Sequence, residues 1–424
     1  MPYIIHQDPQ RVILCAVSLN GHYNKTEKSL EELERLAVTA GLNVVDKIIQ
    51  GRERSHPVHY MGAGKIRFLK NLADEQGAEI IIFDDELTPS QQKNIRKIIK
   101  DADIIDRSAL ILKIFTDHAK TREAKTQVSL AEAEYLLPRL TRQWTHLERQ
   151  AGGIGMRGGP GETQIEIDRR LLRDRIKKLK SELVKISTQM ETKRKSRERR
   201  FNVSLVGYTN AGKSTIMNAL SSANVDVEDQ LFKTLDTTVR RVYLDKTHTI
   251  YLSDTVGFIQ KLPHQLVASF RSTLKEAESA DLLLKIIDIS DDDFKHHISV
   301  IDDVLKDFDI PEKRFITVFN KTDTLKDPER IKYVKRNYPD AFCISAKRLI
   351  GVQSLAVEIM RRMDNSAETH IFYIPPNEGK IISDLHHFGN VLESKVDNDM
   401  LRMKVFMDRT IYQSLNKKYG LDNL

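Results

Sequence analysis

The residues best suited to chemistry form one segment, Gly207-Tyr208-Thr209-Asn210-Ala211-Gly212-Lys213-Ser214, with the pattern GxxxxGK[ST]. It follows the apolar run FNVSLV and precedes TIMNALSS, so we expect a strand, a glycine-rich loop and a helix that includes Thr215. Glycines in such a loop let backbone N–H groups face phosphate oxygens at the positive end of the helix. Lys213 can then reach the β- and γ-phosphates, and the Ser214 hydroxyl can bind Mg²⁺. The segment therefore predicts a site for a nucleoside triphosphate with Mg²⁺.

Three further polar motifs each follow an apolar, strand-like run. The run IYLS ends in Asp254-Thr255-Val256-Gly257, whose carboxylate can hold Mg²⁺ through water and whose glycine N–H can contact the γ-phosphate. The runs RFITVF and AFCI end in Asn320-Lys321-Thr322-Asp323 and in Ser345-Ala346-Lys347. Asp323 can accept both the N1–H and the 2-amino group of guanine, while Asn320 and Ala346 can address N7 and O6. Adenine cannot make the first pairing, so the motifs predict GTP and GDP as ligands rather than ATP.

A polar loop, LFKTLDTT, lies between the phosphate-binding loop and Asp254. We expect it to cover the γ-phosphate through Phe232, Lys233, Thr234, Leu235 and Asp236. Thr234 is the predicted second protein ligand of Mg²⁺. Spacing alone leaves Thr237 and Thr238 as alternatives for that role.

Position 258 follows Gly257 directly, where many GTPases carry a glutamine that orients the attacking water. Here the residue is Phe258. A phenyl ring cannot hydrogen-bond to water, so we expect slow intrinsic hydrolysis that depends on a group or a rearrangement supplied by a partner. No catalytic residue is assigned. Phe258 can also be a core aromatic, and the two interpretations are compatible.

The pattern of strand-like and helix-like runs around these motifs predicts an α/β multidomain chain with four parts. Residues 1–119 alternate strand and helix patterns, which predicts a parallel-sheet α/β domain. Residues 120–200 predict a helical hairpin of coiled-coil type with a glycine-rich tip, and residues 201–364 a P-loop GTPase domain. Residues 365–424 predict a small α+β domain.

The predicted hairpin carries most of the positive charge. Its tip has six glycines between Gly152 and Gly161, and a heptad-like seam follows at Ile165, Leu172, Ile176, Leu179, Leu183, Ile186 and Met190. Residues 169–200 contain fourteen Lys or Arg and four acids, which gives this segment a charge of +10. The net charge of the whole chain is +7, so the remaining residues sum to −3. A basic helix beside a flexible tip suits an RNA partner. A solvated helical face is the alternative.

Composition favours a cytoplasmic protein. No run approaches the roughly 18 consecutive apolar residues that span a bilayer, and the first residues lack the basic and apolar regions of a signal peptide. Cys15 and Cys343 lie in separate apolar runs without neighbouring ligands, so we expect two inert core thiols.

With these motifs the sequence resembles the HflX family, in the Obg-HflX branch of translation-factor-like GTPases. The resemblance covers nearly the whole chain and includes segments outside the nucleotide motifs: residues 61–65 (MGAGK), 87–92 (LTPSQQ), 106–107 (DR), 127–140, 152–164 and 168–170 (DRR). Two departures stand out. The usual Arg-Gly-Pro-Gly-Glu has one extra glycine at residues 157–162, and the usual Asp-Pro-Thr-Thr reads Asp236-Thr237-Thr238-Val239, which leaves the geometry of that loop open.

The resemblance implies a monomeric GTPase that binds the large ribosomal subunit through ribosomal RNA, without a membrane span. It implies slow, ribosome-stimulated hydrolysis, the splitting of stalled or idle ribosomes, a role in stress response, and partial association with ribosomes in the cytoplasm. Two alternatives remain: a GTPase of rRNA or tRNA maturation or of subunit assembly, and an RNA-binding scaffold with GTP as a structural ligand.

Overall fold

The computed structural model describes residues 9–140, 164–195, 201–221, 238–245, 248–255, 257–261, 277–306, 314–325, 327–365, 367–397 and 399–421. Contacts between Cα atoms divide them into two units. The first takes in the described residues between 9 and 185 together with 259–261, and the second takes in the others. This division does not test the predicted boundaries of the four parts, which stay a prediction. None of the helices in the described ranges is long and apolar enough to cross a membrane.

The first unit contains a parallel sheet in the order β2-β1-β3-β4. The inner strand β1 is buried at seven consecutive positions, as expected of a parallel strand covered on both faces. Its strands and first helices are β1 (Arg11–Leu19), α1 (Tyr23–Thr39), β2 (Asn43–Arg52), α2 (Ala63–Gln76), β3 (Ile80–Phe83), α3 (Pro89–Ile98) and β4 (Asp103–Asp106).

Three helices follow: α4 (Arg107–His118), α5 (Arg122–Leu136) and the long α6 (Gln164–Lys195), with a 3-10 turn at Leu137–Arg139. Salt bridges join α5 to α6, from Arg122 to Glu182 at 2.8 Å and from Lys180 to Glu134 at 2.8 Å. The seam residues between Leu172 and Leu183 are half-buried, whereas the cations between them are exposed. The predicted glycine-rich tip lies outside the described residues.

The second unit contains a six-stranded sheet in the order β10-β9-β8-β5-β7-β6, parallel except for β6. Its elements are β5 (Asn202–Gly207), α7 (Lys213–Ser221), β6 (Thr238–Tyr243), β7 (Thr249–Asp254), β8 (Leu282–Asp288), α8 (Phe294–Leu305), β9 (Phe315–Asn320), a 3-10 turn (Thr322–Thr324), α9 (Glu329–Asn337), β10 (Phe342–Cys343) and α10 (Val352–Asn365). The carboxyl ends of β5, β7, β9 and β10 meet at one edge of the sheet, where ligands bind in such folds.

The same unit ends in a three-stranded antiparallel sheet in the order β11-β13-β12. It is built from β11 (Ala367–Ile374), α11 (Gly379–Phe388), β12 (Asn390–Asp397), β13 (Met400–Asp408) and α12 (Arg409–Tyr419). The structure therefore confirms the predicted α/β multidomain fold class.

Candidate guanine-nucleotide site

The phosphate-binding loop connects β5 to α7, as the sequence predicts. Gly212 has φ +89°, in the region that favours glycine, and Asn210 has φ 57°. A side chain at Gly207 would overlap the carbonyl of Ile286 on β8, so the close approach of the two strands requires glycine there. Thr215 lies in the first turn of α7.

Lys213 is buried inside this loop. Its ammonium group donates to the carbonyl oxygens of Gly207 at 3.1 Å and Tyr208 at 2.9 Å. Burial lowers the pKa of Lys213 to about 8, although Asp254 favours the charged form. The loop therefore carries a desolvated cation held by weak neutral acceptors, which phosphate oxygens can replace with stronger bonds.

Ser214 and Asp254 meet across the loop, because the Ser214 hydroxyl donates to Asp254 Oδ2 at 2.7 Å. Asp254 is 2% exposed and ends β7 beside β5. A hydroxyl and a carboxylate oxygen at this separation fit the oxygen ligands that Mg²⁺ takes alongside waters and phosphates. Thr255 has a different role, since its hydroxyl donates to the Leu205 carbonyl at 2.7 Å and ties β7 to β5.

Phe258 pairs with the phosphate-binding loop through its backbone. The Phe258 N–H donates to the Gly207 carbonyl at 3.0 Å, and the Thr209 N–H donates to the Phe258 carbonyl at 2.7 Å. The Phe258 side chain is 4% exposed, so it is a core aromatic as well as a non-polar residue in the glutamine position. Gly257 lies so close to Thr209 that an added Cβ would come within 2.8 Å of its Cα. Any side chain at 257 would therefore push the two segments apart.

The guanine motifs are joined to this loop by Asn320. Its amide nitrogen donates to the Ala211 carbonyl at 3.0 Å, and its amide oxygen accepts from the Ala346 N–H at 3.0 Å. In this structure the Asn320 side chain thus holds two loops together. The sequence predicted that it contacts guanine.

Asp323 is oriented by Ser345, the first residue of the Ser345-Ala346-Lys347 motif. The Ser345 hydroxyl donates to Asp323 Oδ1 at 2.5 Å, and the second carboxylate oxygen is not part of that bond. Lys321 has φ 66° and pairs with Asp288 at the end of β8, at 2.8 Å. The Thr322 N–H donates to the Ile344 carbonyl at 3.2 Å, and Lys347 is exposed. These contacts fix the strand-end loops that carry the carboxylate.

Several predicted residues lie outside the described ranges, namely Phe232, Lys233, Thr234, Leu235, Asp236 and Val256. Sequence reasoning also missed one neighbour of the loop, His297 on α8. Its ring stacks on Tyr208 with centroids 3.9 Å apart and planes 14° apart, and both residues are buried. No motif marks His297, because its partner lies 89 positions away in the sequence.

Comparison with known proteins gives matches along most of the chain. Family profiles match in three consecutive stretches: GTP-binding GTPase N-terminal at residues 27–116, GTP-binding GTPase Middle Region at 118–197, and 50S ribosome-binding GTPase at 202–321.

Curated relatives match over similar lengths. GTPase HflX of Flavobacterium psychrophilum is 53% identical over 315 residues, which are 74% of this chain and 76% of the relative. GTPase HflX of Escherichia coli is 41% identical over 379 residues, covering 89% and 88%. Among solved structures, a GTP-binding protein from Sulfolobus solfataricus in complex with GDP aligns with 83% of this chain and 98% of its own, at 22% identity and a TM-score of 0.45.

Proposed function

Since the chain belongs to the HflX family and is a GTPase, we propose that its GTP cycle controls binding to the large ribosomal subunit and the separation of stalled or idle ribosomes into subunits. The proposal places the protein in the cytoplasm as a monomer that is partly bound to ribosomes. It also assigns the protein to the response to stress that stalls translation.

The observation that carries the proposal is the exposed basic surface of α6. Between Arg169 and Lys185 all eight Lys and Arg side chains of α6 are exposed, while the seam residues turn away from solvent. Lys180 also forms a salt bridge with Glu134 of α5 at 2.8 Å. Such a surface attracts the phosphates of ribosomal RNA independently of base sequence. The helix would therefore supply affinity, and the tip between Gly152 and Gly161 would act as the wedge.

The nucleotide site supports slow hydrolysis. Ser214 and Thr234 would be the protein ligands of Mg²⁺, and Asp254 would hold the ion through water. The ion would neutralise charge on the β- and γ-phosphates. Lys213 would bind the phosphates, while Asp323, oriented by Ser345, would select guanine. No side chain at position 258 can orient the attacking water, since Phe258 is apolar and buried. Hydrolysis would therefore accelerate only when the ribosome completes the site.

A deletion of residues 152–161 tests the wedge. The deletion should leave GTP affinity unchanged, because the tip is remote in sequence from every nucleotide motif, and should abolish both ribosome splitting and ribosome-stimulated hydrolysis. Light scattering and gradient sedimentation report splitting. Normal splitting by the deleted chain would show that the wedge lies elsewhere.

A charge reversal separates RNA binding by α6 from general basicity. Arg173→Glu with Lys177→Glu removes two exposed cations of α6, and Lys332→Glu with Lys335→Glu is the matched control on α9. We expect only the α6 pair to weaken cosedimentation with large subunits in a non-hydrolysable GTP analogue. If all variants split ribosomes normally while cells that express them accumulate unprocessed rRNA, the alternative function in rRNA maturation is the better assignment.

A further inference from the structure

The C-terminal sheet has two chemically different faces. Residues of β11 and β13 alternate, and one set forms a core with α11 and α12 that includes Phe372, Met403, Val405 and Leu415. The other set points away from that core. It comprises Thr369, Ile371 and Tyr373 on β11 and Arg402, Lys404 and Phe406 on β13, and we call it the outer face.

The strand register arranges the outer face in rows. Tyr373 lies opposite Arg402, Ile371 opposite Lys404, and Thr369 opposite Phe406. Ile371 is 47% exposed and Tyr373 is 41% exposed, although both side chains are large and apolar over most of their surface. The two aromatic residues lie two rows apart, about 13 Å along the strands, with the row of Lys404 between them.

Charges on this face are arranged for an anion. The outer face includes two cations, Arg402 and Lys404, and no acid. Glu393 on the neighbouring strand β12 lies opposite Lys404 and is paired with Lys395 at 2.5 Å and Arg402 at 3.3 Å. Its hydrogen bond with Lys395 and the nearby charge of Arg402 hold the pKa of Glu393 below its ordinary value. The three cations Lys395, Arg402 and Lys404 nevertheless outnumber this one acid, so these rows keep a net charge of +2.

We propose that the outer face binds a single-stranded segment of RNA, whose bases stack on Tyr373 and Phe406 and whose phosphates contact Arg402 and Lys404. Tyr373 is exposed and Phe406 is half-buried. A sheet face that carries aromatic rings and interleaved cations suits single strands of RNA, because every base offers an apolar face and every linkage a negative charge. The inference rests on the proposed ribosomal function and adds a second RNA contact, far along the chain from α6.

Crosslinking of the full chain to single-stranded RNA that contains 4-thiouridine tests the proposal, with the crosslinked peptides mapped by mass spectrometry. We expect crosslinks in the peptides of β11 and β13. Tyr373→Ala should weaken them about tenfold, as expected for the loss of one stacked base, and Tyr373→Phe should restore them. Lys404→Ala should reduce the dependence of log affinity on log salt by about 0.7. Crosslinks to α6 should not change in any of these variants.

Lys417→Ala is the matched control for Lys404→Ala, because Lys417 is exposed on α12, the helix that covers the other face. Thermal unfolding checks that each variant folds. If the RNA crosslinks only to α6, the inference about the outer face is wrong and the proposed function is unaffected. If the RNA crosslinks to the outer face but not to α6, the result counts against the proposed function.

A photoreactive side chain identifies the occupant on the ribosome itself. Ile371→p-benzoylphenylalanine in the full chain, bound to large subunits in a non-hydrolysable GTP analogue, should crosslink to ribosomal RNA. A crosslink to a ribosomal protein, or none while the chain remains bound, would overturn the proposal.

Discussion

Replacing Arg107 should strongly destabilise the first unit. Its side chain is 1% exposed and donates to Glu32 at 2.7 Å, to Asp84 at 2.5 Å and to the Ser29 carbonyl at 2.6 Å. Burial alone would raise the pKa of Asp84, but the charges of Arg107 and Lys261 outweigh it and hold that pKa below its ordinary value. Asp84 therefore contributes stability above its ordinary pKa, and this contribution is lost as the pH falls through the folded-state value.

The expected magnitude follows from the two carboxylates that Arg107→Met would leave behind. Lys261 remains beside Asp84 at 2.5 Å, whereas Glu32, which is 5% exposed, loses its salt bridge with Arg107. Removing one partner of a buried ion pair costs roughly 3–5 kcal/mol, because the remaining charge loses its counter-ion in the interior of the protein.

Hydrogen exchange measured by mass spectrometry suits this test, because two units need not unfold as one cooperative system. The opening free energy of amides in β1, β3 and β4 should fall by about 3–5 kcal/mol at pH 7, and this deficit should shrink as the pH falls through the folded-state pKa of Asp84, which lies below its ordinary value. Arg122→Met is the control, since Arg122 is 76% exposed in its salt bridge and should cost under about 1 kcal/mol. A deficit at Arg107 that matches the control, or does not depend on pH, would refute the reasoning.

Asp323→Asn should weaken GTP binding by roughly 5- to 150-fold and favour xanthosine nucleotides, because one mismatched hydrogen-bonded pair with guanine costs about 1–3 kcal/mol. Unchanged GTP affinity in calorimetry would reject the base assignment. Ser214→Ala should impair binding of both nucleotides with Mg²⁺, whereas Thr234→Ala should weaken only the GTP state, and equal effects on GTP and GDP would exclude Thr234 from the switch. His248 is partly desolvated, but its hydrogen bonds with Asp364 and Asp245 raise its pKa above 6.5. The stability that His248 contributes should therefore be complete below pH 6.5 and disappear as the pH rises through the folded-state pKa, which an NMR titration of the imidazole measures; a pKa at or below 6.5 would contradict the assigned pairing.

Much of the nucleotide site could be predicted from the sequence, because each motif is a run of consecutive residues at the end of an apolar strand. Gly207 to Ser214 need only a strand before them and a helix after them, and both patterns are local. Parallel strands also bring their carboxyl ends to one edge, so the order of motifs was enough to place Asp254 and Asn320 near the loop.

Only the tertiary structure shows how those motifs hold one another. Asn320 binds Ala211 across 109 positions, and Phe258 exchanges backbone hydrogen bonds with Gly207 and Thr209. Arg107 gave no chemical signal in the sequence, because its partners Glu32 and Asp84 lie in separate elements.

The same distinction applies to the C-terminal sheet. Its strand and helix patterns were evident in the sequence, but the pairing of Tyr373 with Arg402 and of Ile371 with Lys404 depends on the register of β11 against β13. A shift by one residue would exchange the two faces, so local alternation cannot say which side chains become neighbours. Packing of Met403 and Val405 against the helices selects one register, and that selection leaves the aromatic and basic residues facing outward.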